Sequence, residues 1–314
     1  AQDAMRELTT MRALVVGDVC DVLAEPNSLA YTDAQRWRAA IVLGAIGGRD
    51  ALEVLLGALR ESESKDVQWN CIVALGKLGA TEAAEDLIRI LQDEKAAEIV
   101  RLTAIRTLGL LQAQDAVGPL IGQLEKRPDA QQVIAERRQE EREAKEAKER
   151  ADKRKEYEDA GLEVPADLLE EEEEEEEEAP KELTDADRPQ LRIACCEALA
   201  MIGDKEALPA LCSAADGSHE PEYSVRAAAT LALGDLADAS DAEAVKVLVR
   251  NLAGERWDMD ADGENDDLDG DLRVAAAHAL GRLGSTDDLA VTALQRAADD
   301  KHYWVRFAAA ESMK

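Results

Sequence analysis

The stretch VRAAATLALGDL, residues 225–236, decides the fold of this 314-residue chain. At 100° per residue, Val225, Ala229, Ala232 and Leu233 fall within one arc of about 100°, the apolar stripe of a helix packed on one side. The same register returns as VRLTAIRTLGLL from Val100, LRVAAAHALGRLG from Leu272 and VRFAAAESM from Val305. With the glycine of ALG as anchor, copies end at Gly44, Gly76, Gly109, Ala200, Gly234 and Gly281, and a last, incomplete one reaches Lys314. Four spacings are 32, 33, 34 and 33; the others are 91, from Gly109 to Ala200, and 47, from Gly234 to Gly281. Taking out roughly 58 and 14 residues as insertions restores the period, and a fixed period near 33 marks a stack of similar helical units.

Each unit reads as two helices. The second is the ALG helix; the first is seen in DAVGPLIGQL (Asp115–Leu124) and EALPALCSA (Glu206–Ala214), each with a proline in its first turns. This V-R-x-x-A-x-x-A-L-G register resembles the HEAT-like repeat family, in the short form also seen in bilin-lyase-like proteins, over about 240 residues. The resemblance implies an all-α, right-handed solenoid of about seven helix pairs. N-terminal repeats would occupy 1–125, a charged insertion 126–188, and C-terminal repeats 189–314 with an acidic loop at 254–271. It also implies a role for the arginine that recurs eight before the anchor, at Arg36, Arg101, Arg192, Arg226, Arg273 and Arg306, with Gln68 as the exception. In the family such arginines pair with an Asp of the preceding turn, as a ladder between repeats. A row of ligand-binding arginines is the other reading of the same file.

Seven and three before each anchor lie on the opposite side of the second helix. There stand Trp37 and Ile41, Trp69 and Val73, Leu102 and Arg106, Ile193 and Glu197, Val274 and His278, Phe307 and Glu311. In the family this helix lines the concave surface, so Trp37, Ile41, Trp69, Val73, Leu102 and Phe307 are the candidate partner-binding residues. An apolar row with two equivalent tryptophans suits a protein-binding groove. Packing of the same residues on a neighbouring repeat or an N-terminal helix is the competing reading.

Composition narrows the function. Apolar content of 46% is mostly Ala and Leu, which favours packed helices, while 3% aromatics with one Phe does not suit a sandwich or barrel. No run approaches the 18 or so apolar residues of a transmembrane helix. The net charge of −31 argues against unaided binding to nucleic acid or an anionic membrane, and suits a basic protein, a cation or a salty habitat. Cys20, Cys71, Cys195, Cys196 and Cys212 lie in apolar helical stretches without CxxC spacing and read as reduced, buried thiols. The start Ala1-Gln2-Asp3, without Met, is of the kind that follows leader removal and hints at export.

Both insertions fall between the first and second helix of their repeats, so both leave by one edge. Residues 126–182 hold 23 acids and 12 bases, and 254–271 hold 9 acids and one base. The larger opens as a solvated charged helix ending near Gly161, with Glu141–Lys145, Glu146–Arg150 and Glu149–Lys153 in the favourable i,i+4 order. The nine-Glu run Glu170–Glu178 follows, expected to be disordered by self-repulsion: a solubilising spacer or a docking arm for a basic protein. The smaller has calcium-loop spacing at Asp258, Asp260, Asp262, Glu264, Asp266 and Asp269 around Gly263. Asp in the last place, Asn265 for the usual aliphatic and no paired loop set it at the weak end of calcium affinity, or make it a plain acidic loop.

Enzyme relatives fit less well. Deoxyhypusine hydroxylase relatives hold two irons with His-Glu pairs, and this chain has one such pair, His219-Glu220, among three histidines. A bilin-lyase-like role would set Tyr303, Trp304 and Cys212 near a tetrapyrrole. The function expected is a non-catalytic protein-interaction scaffold. A structural subunit of a larger assembly is the alternative, which the ending in mid-repeat at Met313-Lys314 would fit, and an enzyme subunit comes behind it.

Overall fold

The computed structural model describes residues 16–24, 30–165, 184–254, 266–284 and 287–314. Among them all regular structure is helical. A helical stretch over 16–24 precedes α1 (Asp33–Ile46), which Thr32 starts with a capping box closed by Gln35. There follow α2 (Arg49–Glu61) with α3 (Lys65–Leu78), α4 (Ala84–Gln92) with α5 (Glu98–Leu110), and α6 (Val117–Leu124). The charged α7 (Ala130–Asp159) intervenes before α8 (Pro189–Ile202) completes that pair. Then come α9 (Leu208–Ala215) with α10 (Tyr223–Leu236), α11 (Ala242–Ala253) with α12 (Asp266–Leu283), and α13 (Asp288–Ala297) with α14 (Tyr303–Ser312). The proline-bearing first helices open with a 3-10 turn, Gln114–Ala116 before α6 and Lys205–Ala207 before α9. A proline within the first turn costs no hydrogen bond there.

The second helices form one row: α1 on α3, α3 on α5, α5 on α8, α8 on α10, α10 on α12, α12 on α14. The first helices α4, α6, α9, α11 and α13 form a looser row behind it. The predicted core stripe holds: Leu43, Leu75, Leu108, Leu199, Leu233 and Leu280, each one before its anchor, are buried, and so are Ala74, Ala198, Ala232 and Ala279 beside them. Val42 departs, at 40% exposed. The residue two before each anchor packs on the anchor of the preceding repeat, as Ala74 does on Gly44, and among the described residues no earlier ALG helix meets α1.

The 91-residue spacing does not break the row, since α5 and α8 pack directly. The charged helix ends where expected, with Ala160 as its cap and Gly161 at φ 65°. Its Glu146–Arg150 pair forms at 3.7 Å, joined by Arg154–Glu158 at 2.9 Å. The nine-Glu run lies outside the described residues.

Candidate protein-binding face

The arginine file is a ladder: Arg36 pairs with Asp33 of the preceding turn at 3.2 Å, as the resemblance implies, while three other members take an acid from a different place. Arg101 reaches Asp185 at 2.8 Å, Arg192 holds Glu220 through two bonds of 3.1 Å, and Arg273 pairs with Asp300. Each acid sits in the turn before the next repeat's second helix, and one is Glu. For Arg192 and Arg306 the preceding turn supplies carbonyls: Ala186 accepts from Arg192, and Asp300 and Lys301 accept from Arg306. A guanidinium has five donors, enough to reach its own turn and the next repeat at once. Gln68 keeps the local half of this pattern by donating to the Ser62 carbonyl at 2.8 Å. These arginines are structural, because Arg101 and Arg192 are fully buried with their acids.

Asp185 has a second cation, Lys126, at 3.0 Å, and Lys126 also bonds Glu94 at 2.6 Å. The Arg101 guanidinium holds the Asp185 carboxyl well below the usual carboxylate range, with burial opposing it and Lys126 assisting. For Glu220, burial pushes the carboxyl up and Arg192 pulls against it.

On the opposite side of the second row, part of the apolar row stands exposed. Ile41 is 45%, Trp69 39% and Phe307 47% exposed, with Val73 half-buried beside Trp69. Trp37 and Leu102 are half-buried and packed on the core, so at those two positions packing and surface are shared. The guanidinium of Arg38 lies 5.1 Å from the Trp37 ring. The N-terminal part of the ridge is thus apolar. Farther along, ion pairs stitch successive second helices, Arg106 to Glu197 at 3.9 Å and Arg282 to Asp235. At the far end Tyr303 and Trp304 join Phe307 on α14 as exposed aromatics. Sequence reasoning placed only Phe307 there; aromatics at i, i+1 and i+4 on one helix are the signal for the other two.

The cysteines are buried thiols with no disulfide among them, Cys20 being half-buried. Burial pushes Cys71 up to about 12 and Cys212 up to about 11, so both are protonated at neutral pH. Cys212 lies on first-row α9, at a groove of about 560 Å3 between α9 and α11 floored by Leu208, Pro209, Ala244 and Val247. Tyr303 and Trp304 stand in the other row, two repeats on, so the three residues imagined around a tetrapyrrole are not brought together. Of the calcium-loop residues, Asp258, Asp260, Asp262 and Glu264 lie outside the described residues; Asp266 opens α12 and Asp269 is in its first turn. Among the described residues no helix is long and apolar enough to cross a membrane.

The family model for HEAT repeats matches residues 31–99 and 178–261. No curated protein matches the chain. Among solved structures, human deoxyhypusine hydroxylase in complex with glycerol is similar at 22% identity and a TM-score of 0.33, over 97% of this chain and 96% of that one. The complex of CpcE and CpcF of phycocyanin lyase from Nostoc sp. PCC7120 is similar at 22% identity and a TM-score of 0.44, over 93% of this chain and 85% of that one. With its 33-residue period and paired helices, this chain carries HEAT repeats in the segments 31–99 and 178–261.

Proposed function

We propose that the chain is a non-catalytic scaffold that binds a basic partner protein along the exposed ridge of its second helices. The observation that carries this reading is the apolar N-terminal ridge, where Trp69 and Ile41 stand open to solvent beside Val73. Tryptophan is a favoured anchor at interfaces because one side chain covers a large apolar area at low entropic cost. The net charge of −31, with two acidic insertions on one edge, steers basic surface toward the ridge.

The test is capture of a partner from native extract, followed by affinity measurement with that partner and the variants Trp69→Ala and W37A/W69A. Trp69→Ala weakens binding at least about tenfold, about 1.4 kcal/mol, with a melting temperature within a few degrees of wild type. Unchanged binding with a large melting loss would return Trp69 to the core and end the reading. Run with calcium and with chelator, the same capture decides whether Asp258–Asp269 is a working cation loop or solvated acid.

A further inference from the structure

The row of first helices carries a cavity that the ridge of second helices does not share. Between α9 and α11 it takes in about 560 Å3, within the roughly 300–1,000 Å3 of small-molecule sites. Leu208, Pro209, Ala244 and Val247 make it apolar along its length. Cys212 faces it from α9, 9% exposed and without a hydrogen bond among the described residues. Its thiol is protonated at neutral pH, so it offers a soft, polarisable wall and a weak donor.

The ionisable groups that line the cavity are Asp216, His219, Asp241 and Glu243, with no Lys or Arg among them. They divide between its two ends. At the helix starts, Lys205 reaches across to Asp238 and Asp241 and so draws the turn before α9 to the turn before α11. Asp204, Glu206, Asp238, Asp241 and Glu243 meet there with Lys205 and Lys246, five acids against two bases. Each helix start offsets about half a charge through its dipole, and two starts still leave a negative surplus. Lys205 takes Oδ2 of Asp241 and Lys246 takes Oε2 of Glu243. Among the described residues no hydrogen bond reaches Asp241 Oδ1 or Glu243 Oε1. At the other end Arg250 holds Asp216 at 2.9 Å and Arg127 donates to the Ser213 hydroxyl at 2.9 Å, which leaves no acid to spare. The Cys212 thiol, between the ends, registers the difference: after burial, Glu243 and Asp241 are what raise it.

We propose that this cavity binds a small organic monoamine, a single ammonium group carried on an apolar body. The ammonium lies at the helix starts against the open oxygens of Asp241 and Glu243, and the body runs over Pro209 and Val247 past Cys212. An anionic ligand would meet three carboxylates, and a neutral one would forgo the charge-assisted bonds they offer. A second ammonium would be set against Arg250 and Arg127, so one charge suits the cavity better than two. The inference is independent of the scaffold reading, which concerns the other row.

The experiment titrates phenethylamine, phenethyl alcohol, hydrocinnamate and p-xylylenediamine into the full chain at neutral pH, by calorimetry. Alkylation of Cys212 by N-ethylmaleimide, read on its peptide by mass spectrometry, reports where each compound sits. Phenethylamine binds at least about tenfold more tightly than the alcohol, hydrocinnamate does not bind, and the diamine gains nothing over the monoamine. Bound phenethylamine slows alkylation of Cys212 and leaves that of Cys20, outside the cavity, unchanged. D241N/E243Q brings the amine down to the affinity of the alcohol. Should that variant lower the melting temperature, because Asp241 also holds Lys205, Glu243→Gln decides alone: its side chain is exposed, and it weakens the amine about threefold while leaving the alcohol as it was. Equal affinity for amine and alcohol overturns the proposal, and so does amine binding that leaves Cys212 unprotected or is unchanged in Glu243→Gln. Tighter binding of the diamine overturns the single charge.

Discussion

At Gly234 an added methyl would stand 2.6 Å from the Ala279 Cα, while at Gly57 it would meet nothing within 4 Å. Both glycines lie inside helices, α10 and α2, where alanine is preferred by about 0.8–1 kcal/mol. Gly57→Ala therefore raises stability by roughly that amount. Gly234→Ala lowers it by about 1–3 kcal/mol, because backbone atoms of the facing helix must retreat. Urea unfolding of the two variants checks the pair, and a gain at Gly234 would refute the close approach. The ALG glycine was legible as the anchor of the period, but its reason was not. Contact with the residue two before the next anchor joins positions about thirty apart, and no local periodicity encodes it. The exposure of Val42 was hidden for the same cause, since its fate depends on a neighbour that is not found before α1 among the described residues.

Between elements, the return of the chain from its long insertion hangs on one carboxylate. Asp185, beside the Thr184–Asp187 capping box, is buried against Arg101, which also donates to the Leu91 carbonyl and Gln123. Asp185→Asn leaves Arg101 buried without a counter-charge and costs about 3 kcal/mol near neutral pH. The sign with pH follows from the depressed carboxyl, whose ordinary unfolded value is about 3.9. Its contribution is fully present above about pH 5 and is lost as pH falls from there toward the folded value. The melting-temperature gap between wild type and Asp185→Asn is thus level from pH 5 to 8 and closes below about pH 4. A gap that widens in acid would contradict this. The arginine file could be read from spacing alone, whereas its partner lies 84 residues away across the insertion and alternates between Asp and Glu along the stack. Only the three-dimensional register shows that for Arg101, Arg192 and Arg273 the next turn supplies the acid, where Arg36 keeps Asp33 of the preceding one.

At the scale of the molecule, charge acts on two observables with opposite sign. A chain of net charge −31 repels itself when compact, and mobile cations relieve that repulsion. The Debye length shrinks from about 10 Å at 0.1 M salt to about 3 Å at 1 M, so most of the exposed repulsion is gone at the upper end. Buried pairs such as Arg192–Glu220 are screened much less and keep the stack in register throughout. The melting temperature therefore rises with sodium chloride and levels off toward 1 M. Capture of a basic partner draws on the same unscreened field, so its affinity falls over the same range, chiefly through a slower on-rate. The net charge was already plain in the sequence. The row of second helices packed one on the next was not, because contacts between helices so far apart in the chain appear only when the repeats are stacked. Melting and partner titration on one salt series separate the two effects: parallel slopes would mean that salt acts on the fold alone, and opposite slopes that the acidic surface serves association at a cost in stability.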